Sequence, residues 1–281
     1  MKRGMSSKLV ARRVALSTVG TTLAFAVALG AGGCDDKKAQ SLAPAASSLA
    51  PSTVAPSAKT MKFAIDAKSS TSIDMPAPKE HIKAGTDAAT GTLDVDFMNL
   101  ANTRGEVKAD LTSLTTKTFG DADKDKTQTG HARTWLEVAD GEEGKLPDDV
   151  KAANRYAVYA IRSVDNLSAT DLTKVPVTKD GDDDVRTVSA TTHGEFLVHG
   201  HKVDHDADVD VAFHYAPGGA ADKPKFLTIK SKKPFRATLA DHDVKPRDGF
   251  GKIAKGAFNL LGTKVAEVAD ITLDLRANPQ S

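Results

Sequence analysis

The chain has 281 residues, 40% hydrophobic and 27% charged, with 21 glycines, 12 prolines and one cysteine. That composition supports a packed core and excludes collagen-like, mucin-like and wholly disordered classes, and one cysteine excludes an internal disulfide framework or a cysteine-based zinc finger. The formal charge of +1 hides an asymmetry. Lys2, Arg3, Lys8, Arg12 and Arg13 face no acid within the first 33 residues, so 33 basic residues stand against 37 acidic ones beyond them, a net of −4; nucleic acid, which needs a basic surface, is excluded as a partner.

The basic stretch ends at Arg13, and an uncharged run follows from Val14 to Gly33, carried by Leu16, Val19, Leu23, Phe25, Val27 and Leu29. A positive segment, an apolar segment and small residues before a cut site predict a secretory signal over residues 1–33. The competing reading, a membrane-spanning helix, has the required length but is diluted by Ser17, Thr18, Gly20, Thr21, Thr22, Gly30, Gly32 and Gly33. Cys34 stands directly behind Leu29-Gly30-Ala31-Gly32-Gly33. That arrangement resembles a bacterial lipoprotein signal, in which the cysteine becomes the lipidated first residue; it implies a protein anchored in the bacterial cell envelope, facing the periplasm or the cell surface. Residues 34–60 are rich in Ala, Ser and Pro. Such a segment cannot bury enough apolar surface to offset its chain entropy, so it is predicted to be a disordered tether.

From residue 61 the dominant hydropathy period is two, the mark of a strand with one buried and one wet face. In chain order the predicted strands are Lys62–Asp66, Thr92–Phe97, Glu106–Leu114, Tyr156–Val164, Val185–Val198, Ala207–Tyr215, Phe226–Leu239 and Ile271–Arg276. Helices are predicted over Thr129–Asp140 and Pro147–Asn154, the latter with Pro147 suited to a first turn, and a further helical turn over Ile253–Leu261. The acidic run Asp180–Asp184 is predicted to be a solvated hairpin turn. Many short strands separated by Gly, Pro, Asn and Asp predict one all-β domain over residues 61–277, an antiparallel sandwich or barrel. A barrel of about eight strands leaves room for one ligand, whereas a sandwich fills its own core; periodicity does not separate the two. Tyr156 and Tyr159 have opposite strand phases, so only one of them faces inward.

The pattern bears on three kinds of chemistry. His199, His201 and His205 bracket a turn among Asp204, Asp206 and Asp208, and imidazoles near carboxylates are donors for Zn or Cu; for His199 the competing reading is a turn residue bonding the backbone. His214 falls on the polar phase of its strand. Nucleophilic and phosphate-binding motifs are absent: there is no G-x-S-x-G elbow and no Gly-rich phosphate loop, so no catalytic residue is assigned and the protein is read as a non-enzyme. Trp135 is either a lid over a barrel mouth or a packing residue of its helix.

The ordered set of Thr90-Gly91-Thr92-Leu93, Glu106 to Leu114 followed by a helix carrying His131, the resumption of the sheet at Tyr156, Gly194 to Val203 with its central His199-Gly200, and the closing stretch from Val265 to Ala277 resembles the YceI-like family of bacterial envelope proteins. The resemblance implies a single lipocalin-like antiparallel barrel with one or two short helices, holding an isoprenoid-like or similar amphiphile in an apolar interior and needing no other cofactor. The residues expected to line that interior are Leu93, Val95, Phe97, Val107, Ala109, Leu111, Trp135, Val209, Val211 and Phe213. The rival expectations are a periplasmic metal binder using the His199–His205 cluster and a structural module with a sealed core.

Overall fold

The computed structural model describes residues 59–140, 146–247, 256 and 263–280. The signal segment, Cys34, the tether up to residue 58 and, apart from Gly256, the helical turn over Ile253–Leu261 lie outside the described residues; Thr60, the last residue of the predicted tether, is instead the first of a strand. The alternating stretches form strands β1 (Thr60–Ile65), β2 (Ser70–Pro76), β3 (His81–Thr86), β4 (Ala89–Asp96), β5 (Arg104–Asp110), β6 (Thr115–Thr116), β7 (Tyr156–Asp165), β8 (Thr178–Asp180), β9 (Asp183–Val198), β10 (His201–Tyr215), β11 (Phe226–Ser231), β12 (Phe235–Thr238) and β13 (Val268–Pro279). Helices α1 (Ala122–Trp135) and α2 (Asp148–Asn154) lie between β6 and β7.

Eight of these strands close a ring in the order β1-β4-β5-β7-β9-β10-β11-β13, with β13 returning to β1 and every pairing antiparallel. Closure decides for a lipocalin-like barrel over a sandwich, and it leaves the eight ring strands paired on both sides; β2, β3 and β6 extend the sheet beyond β13. The ring is completed by the long strand β13, which serves two pairs of neighbours. Its carboxyl-terminal half lies between β11 and β1, and its amino-terminal half between β12 and β2. Both neighbours are interrupted where β13 changes partners, and a serine bridges each gap. Ser69, 1% exposed, donates to the Arg276 carbonyl at 3.1 Å and accepts from the Arg276 N–H at 2.9 Å, while Ser231 Oγ accepts from the Leu273 N–H at 3.0 Å. The serines satisfy ladder groups that the breaks would otherwise leave unpaired inside the wall.

The expected strand Phe226–Leu239 is therefore two strands. Lys232-Lys233-Pro234 stands at the break, and Pro234 has no N–H to continue a ladder. The strand expected over Glu106–Leu114 ends at Asp110, whose side chain accepts from the Thr112 N–H at 3.0 Å and starts a 3-10 turn at Leu111–Ser113. The helix expected over Thr129–Asp140 begins seven residues earlier. Asp121 caps it by accepting from the N–H groups of Asp123 and Lys124, and it ends before Glu137, which adopts a left-handed φ of 57°. Only one of its faces is apolar and that face is short, so hydropathy period marked its second half alone. The second helix and the acidic turn match expectation: α2 starts directly after Pro147, and Gly181-Asp182 joins β8 to β9.

Inside the ring the alternation packs as the period requires. Val209 and Phe213 of β10 are 4% and 2% exposed. At the lower end Phe97 stands edge-on to Phe63 at 6.3 Å and to Phe213 at 6.1 Å, contacts worth about 0.5–1.5 kcal/mol each beyond the area they bury. On the outer wall His214 holds the polar phase of β10 and is nonetheless buried, because its ring stacks on Phe226 at 4.3 Å and the Arg276 guanidinium covers that Phe226 ring at 3.4 Å.

Candidate ligand cavity

Two apolar chambers lie inside the barrel. The upper one, about 140 Å³, is lined by β2, β5, β7, β9, β12 and β13 and roofed by Trp135 and Leu136 at the end of α1 together with Leu239 and Val244. The lower one, about 80 Å³, is lined by Leu93 and Val95 of β4, Val188 and Ala190 of β9, Val209 and Val211 of β10 and Leu275 of β13. Val107, Tyr159 and Leu273 line both chambers and form the waist between them.

The waist is built by a close approach. Tyr159 lies across β9 at Gly194, where a Cβ would meet its Cζ at 2.6 Å, and its hydroxyl donates to the His205 carbonyl at 2.9 Å or the Thr192 carbonyl at 3.0 Å. Burial pushes the Tyr159 phenol up to about 12, so it remains a neutral donor at any physiological pH. Tyr156, on the opposite phase, stays on the outside under the Arg155 guanidinium at 5.0 Å.

The upper chamber carries a few polar atoms with no hydrogen-bond partner. Thr71 Oγ1 and His242 Nε2 belong to residues of its lining and are both unpartnered. His205 Nε2, also unpartnered, belongs to a ring packed against Phe196 at 5.7 Å, Phe235 at 5.9 Å and His242 at 6.3 Å. Burial is the main reason that His205 and His242 are held below the ordinary imidazole range. An unsatisfied buried polar group costs about 1–3 kcal/mol, so Thr71 Oγ1 and His242 Nε2 are poised to bond a polar group entering the chamber.

Beside the upper chamber lies a charged cluster. His199-Gly200 joins β9 to β10 as a two-residue turn with φ values of 50° and 78°, both left-handed, as the hairpin twist demands. The turn swings the His199 ring inward, where it is 5% exposed and its Nε2 bonds Glu137 Oε2 at 2.7 Å. Glu137 also accepts from Asn154 Nδ2 at 3.4 Å and faces Arg247 at 3.4 Å. Burial alone would raise the Glu137 carboxyl, but the His199 bond and the Arg247 charge more than offset it and the net shift is downward. Arg247 reaches Asp243 at 2.6 Å as well.

Of the residues expected to line the interior, Leu93, Val95, Val209, Val211 and Phe213 face the lower chamber, Ala109, Leu111 and Trp135 the upper one, and Val107 both. Phe97 does not line either: it is 3% exposed and wedged between Phe63 and Phe213, closing the base as core. The histidine trio is not brought together. His199 and His201 stand side by side with ring centroids 6.3 Å apart, whereas His205 turns into the aromatic packing of Phe196 and Phe235, because residues four apart on β10 share a face but lie about 13 Å apart along the strand. Nor does His199 bond the backbone through its ring; its partner is a carboxylate. The sequence reading missed Tyr159 as the waist, and Gly194 beside it was the available signal, since an interior strand glycine marks a close approach. It also missed His242 and Glu137, which no local pattern marks.

No family model matches the chain, and no curated protein matches it. Among solved structures, a polyisoprenoid-binding domain from Saccharophagus degradans, implicated in plant cell wall breakdown, is similar at 14% identity and a TM-score of 0.44, covering 78% of this chain and 99% of its own. BcnA of Burkholderia cenocepacia is similar at 12% identity and a TM-score of 0.43, covering 76% of this chain and 99% of its own.

Proposed function

We propose that this protein binds one elongated amphiphile inside its barrel and holds it by apolar burial rather than acting on it as an enzyme. The observation that carries the reading is the pair of apolar chambers meeting at the waist of Val107, Tyr159 and Leu273. Protein interiors seldom leave voids larger than a water molecule. At about 24 cal/mol per Å³, an empty upper chamber forgoes about 3 kcal/mol and the lower one about 2 kcal/mol of packing, and an apolar void of this size does not recruit water. A chain of CH₂ groups recovers that loss and gains about 0.8 kcal/mol for each group removed from water. Thr71 and His242 supply hydrogen-bonding atoms for a polar end, which favours an amphiphile over a hydrocarbon. Within that class the sequence resemblance favours an isoprenoid-like chain. The leader and Cys34 support a membrane-tethered carrier in the cell envelope, collecting such a molecule near a bilayer.

Native mass spectrometry of protein prepared without detergent tests the reading. A non-covalent adduct of lipid mass, extractable by organic solvent, is the expected result. Protein that carries no lipid and gains none when incubated with a long-chain isoprenoid alcohol would show the interior to be sealed.

A further inference from the structure

The geometry points to a divalent metal site on the rim of the barrel, formed by His199, His201 and Asp243. One donor atom from each of the three lies within 4.8 Å of the others. Tetrahedral coordination at bond lengths of about 2.0–2.1 Å calls for donors about 3.3 Å apart. The remaining distance is closed by the two movable members, since His201 is exposed and Asp243 is half-buried.

Of the two His199 ring nitrogens, Nε2 is bonded to Glu137, which leaves Nδ1 to offer to such an ion. The residue is 5% exposed, and this ring nitrogen has no hydrogen-bond partner. A buried imidazole nitrogen normally finds one. The other nitrogen, Nε2, is engaged by the buried carboxylate of Glu137 at 2.7 Å. A histidine that holds a metal through one nitrogen characteristically donates its second N–H to a carboxylate, which fixes the tautomer and raises the basicity of the ligating atom. Glu137 stands in that position and is itself held by Asn154 and Arg247. His199 is thus oriented as a ligand by groups that do not themselves coordinate.

Two imidazoles and one carboxylate suit Zn²⁺ or a neighbouring borderline ion better than Ca²⁺ or Mg²⁺, which take oxygen ligands. Three protein donors leave a fourth position for water or an exchangeable group. Asp243 is at present paired through Oδ1 with Lys245 at 2.5 Å and through Oδ2 with Arg247 at 2.6 Å. An arriving ion displaces Lys245, the more exposed of the two cations, and leaves Arg247 to hold the carboxylate. The site stands independently of whether the barrel carries a lipid.

Isothermal titration of Zn²⁺ into the detergent-solubilised full chain tests the proposal. Removing His199 also takes a hydrogen-bond partner from the buried Glu137, so the test rests on His201→Ala and Asp243→Asn; asparagine tolerates the left-handed φ of 52° at that position. One Zn²⁺ per chain is expected, bound at least tenfold more weakly by each of these two variants and with unchanged affinity by His205→Ala. Absence of saturable binding, or binding that either of the two variants leaves intact, overturns the site; binding at Cys34 would show itself in that way. A loss in His205→Ala equal to that in His201→Ala overturns the ligand set.

Discussion

Tyr159 occupies the space that a side chain at Gly194 would need: a methyl group there would lie 2.6 Å from Tyr159 Cζ and 2.6 Å from the Ala160 carbonyl oxygen. The waist between the chambers therefore depends on one missing Cβ. Gly194→Ala should push the ring away from the β9 wall and cost about 1–3 kcal/mol, the range for overpacking. Tyr159→Phe keeps the ring but removes its bonds to the Thr192 and His205 carbonyls, for a loss of about 1 kcal/mol. Urea melts of the two variants check the order. A smaller loss in Gly194→Ala than in Tyr159→Phe would mean that the ring is free to move.

Val211→Phe separates ligand space from core. Val211 lines the lower chamber and is only half-buried. The added ring should occupy the chamber, leave the melting temperature nearly unchanged, and weaken binding of long chains more than of short ones. A loss of about 1–3 kcal/mol with no effect on binding would instead mark overpacking of a filled core.

Glu137→Gln breaks a buried charge pairing while keeping its shape. Removing one partner of a buried pair costs about 3–5 kcal/mol when the other charge is left uncompensated; here Arg247, 10% exposed, loses one of its partners. The variant should lie near the low end of that range, since Asp243 still faces Arg247 at 2.6 Å. The pairing holds the Glu137 carboxyl below its ordinary value of 4.5. Its stabilisation is present above pH 4.5 and is lost as the pH falls through the lower folded value. Acid melts should show wild type losing more between pH 5 and pH 3, on the order of a carboxylate titration, than Glu137→Gln does.

Stability should also fall on mild acidification. Burial holds His205 and His214 below the ordinary 6.5, against the opposing pull of nearby acids: Asp241, Asp206 and Asp204 for His205, Asp180 and Asp183 for His214. The unfolded chain takes up these protons near pH 6.5 and the folded chain only at lower pH, so stability declines as the pH falls below 6.5. His193 works in the opposite sense. Raised by Asp165 and Asp206, it contributes fully below pH 6.5 and less as the pH rises, but it is exposed enough for solvent to reduce the effect. Melts of His214→Gln from pH 7.5 to 5 should show a flatter slope than wild type. An equal slope would assign the dependence to other groups.

Cys34→Ser should release the protein from membranes without lowering its melting temperature. Fractionation after a salt wash reads the outcome, and a variant that stays with the membrane points to an uncleaved Val14–Gly33 helix.

The period of two in Ala207–Tyr215 determined by sequence alone that Val209, Val211 and Phe213 share a face, because side chains on a strand alternate whatever the strand pairs with. The same local rule marked the strands that form most of the ring and the turn at Gly181-Asp182. It left β2 and β3 unmarked, since their inward phases, Thr71-Ile73-Met75 and Ile82-Ala84-Thr86, dilute a few large apolar residues with threonine and alanine. Which face was the inside, and whether the sheet closed, rested on contacts between distant residues. β13 closes on β1 by pairing Ala277 with Ile65, and no local pattern records that register. The histidines show the same division. Sequence placed His199, His201 and His205 near one another along the chain, but the positive φ of His199 and the direction of β10 sent them into different surroundings. The partner that orients His199 is Glu137, 62 residues away, brought to it by the end of α1. Alternation is a property of the local backbone, whereas closure, the waist and the charged cluster exist only once long-range pairing has set the register of the strands.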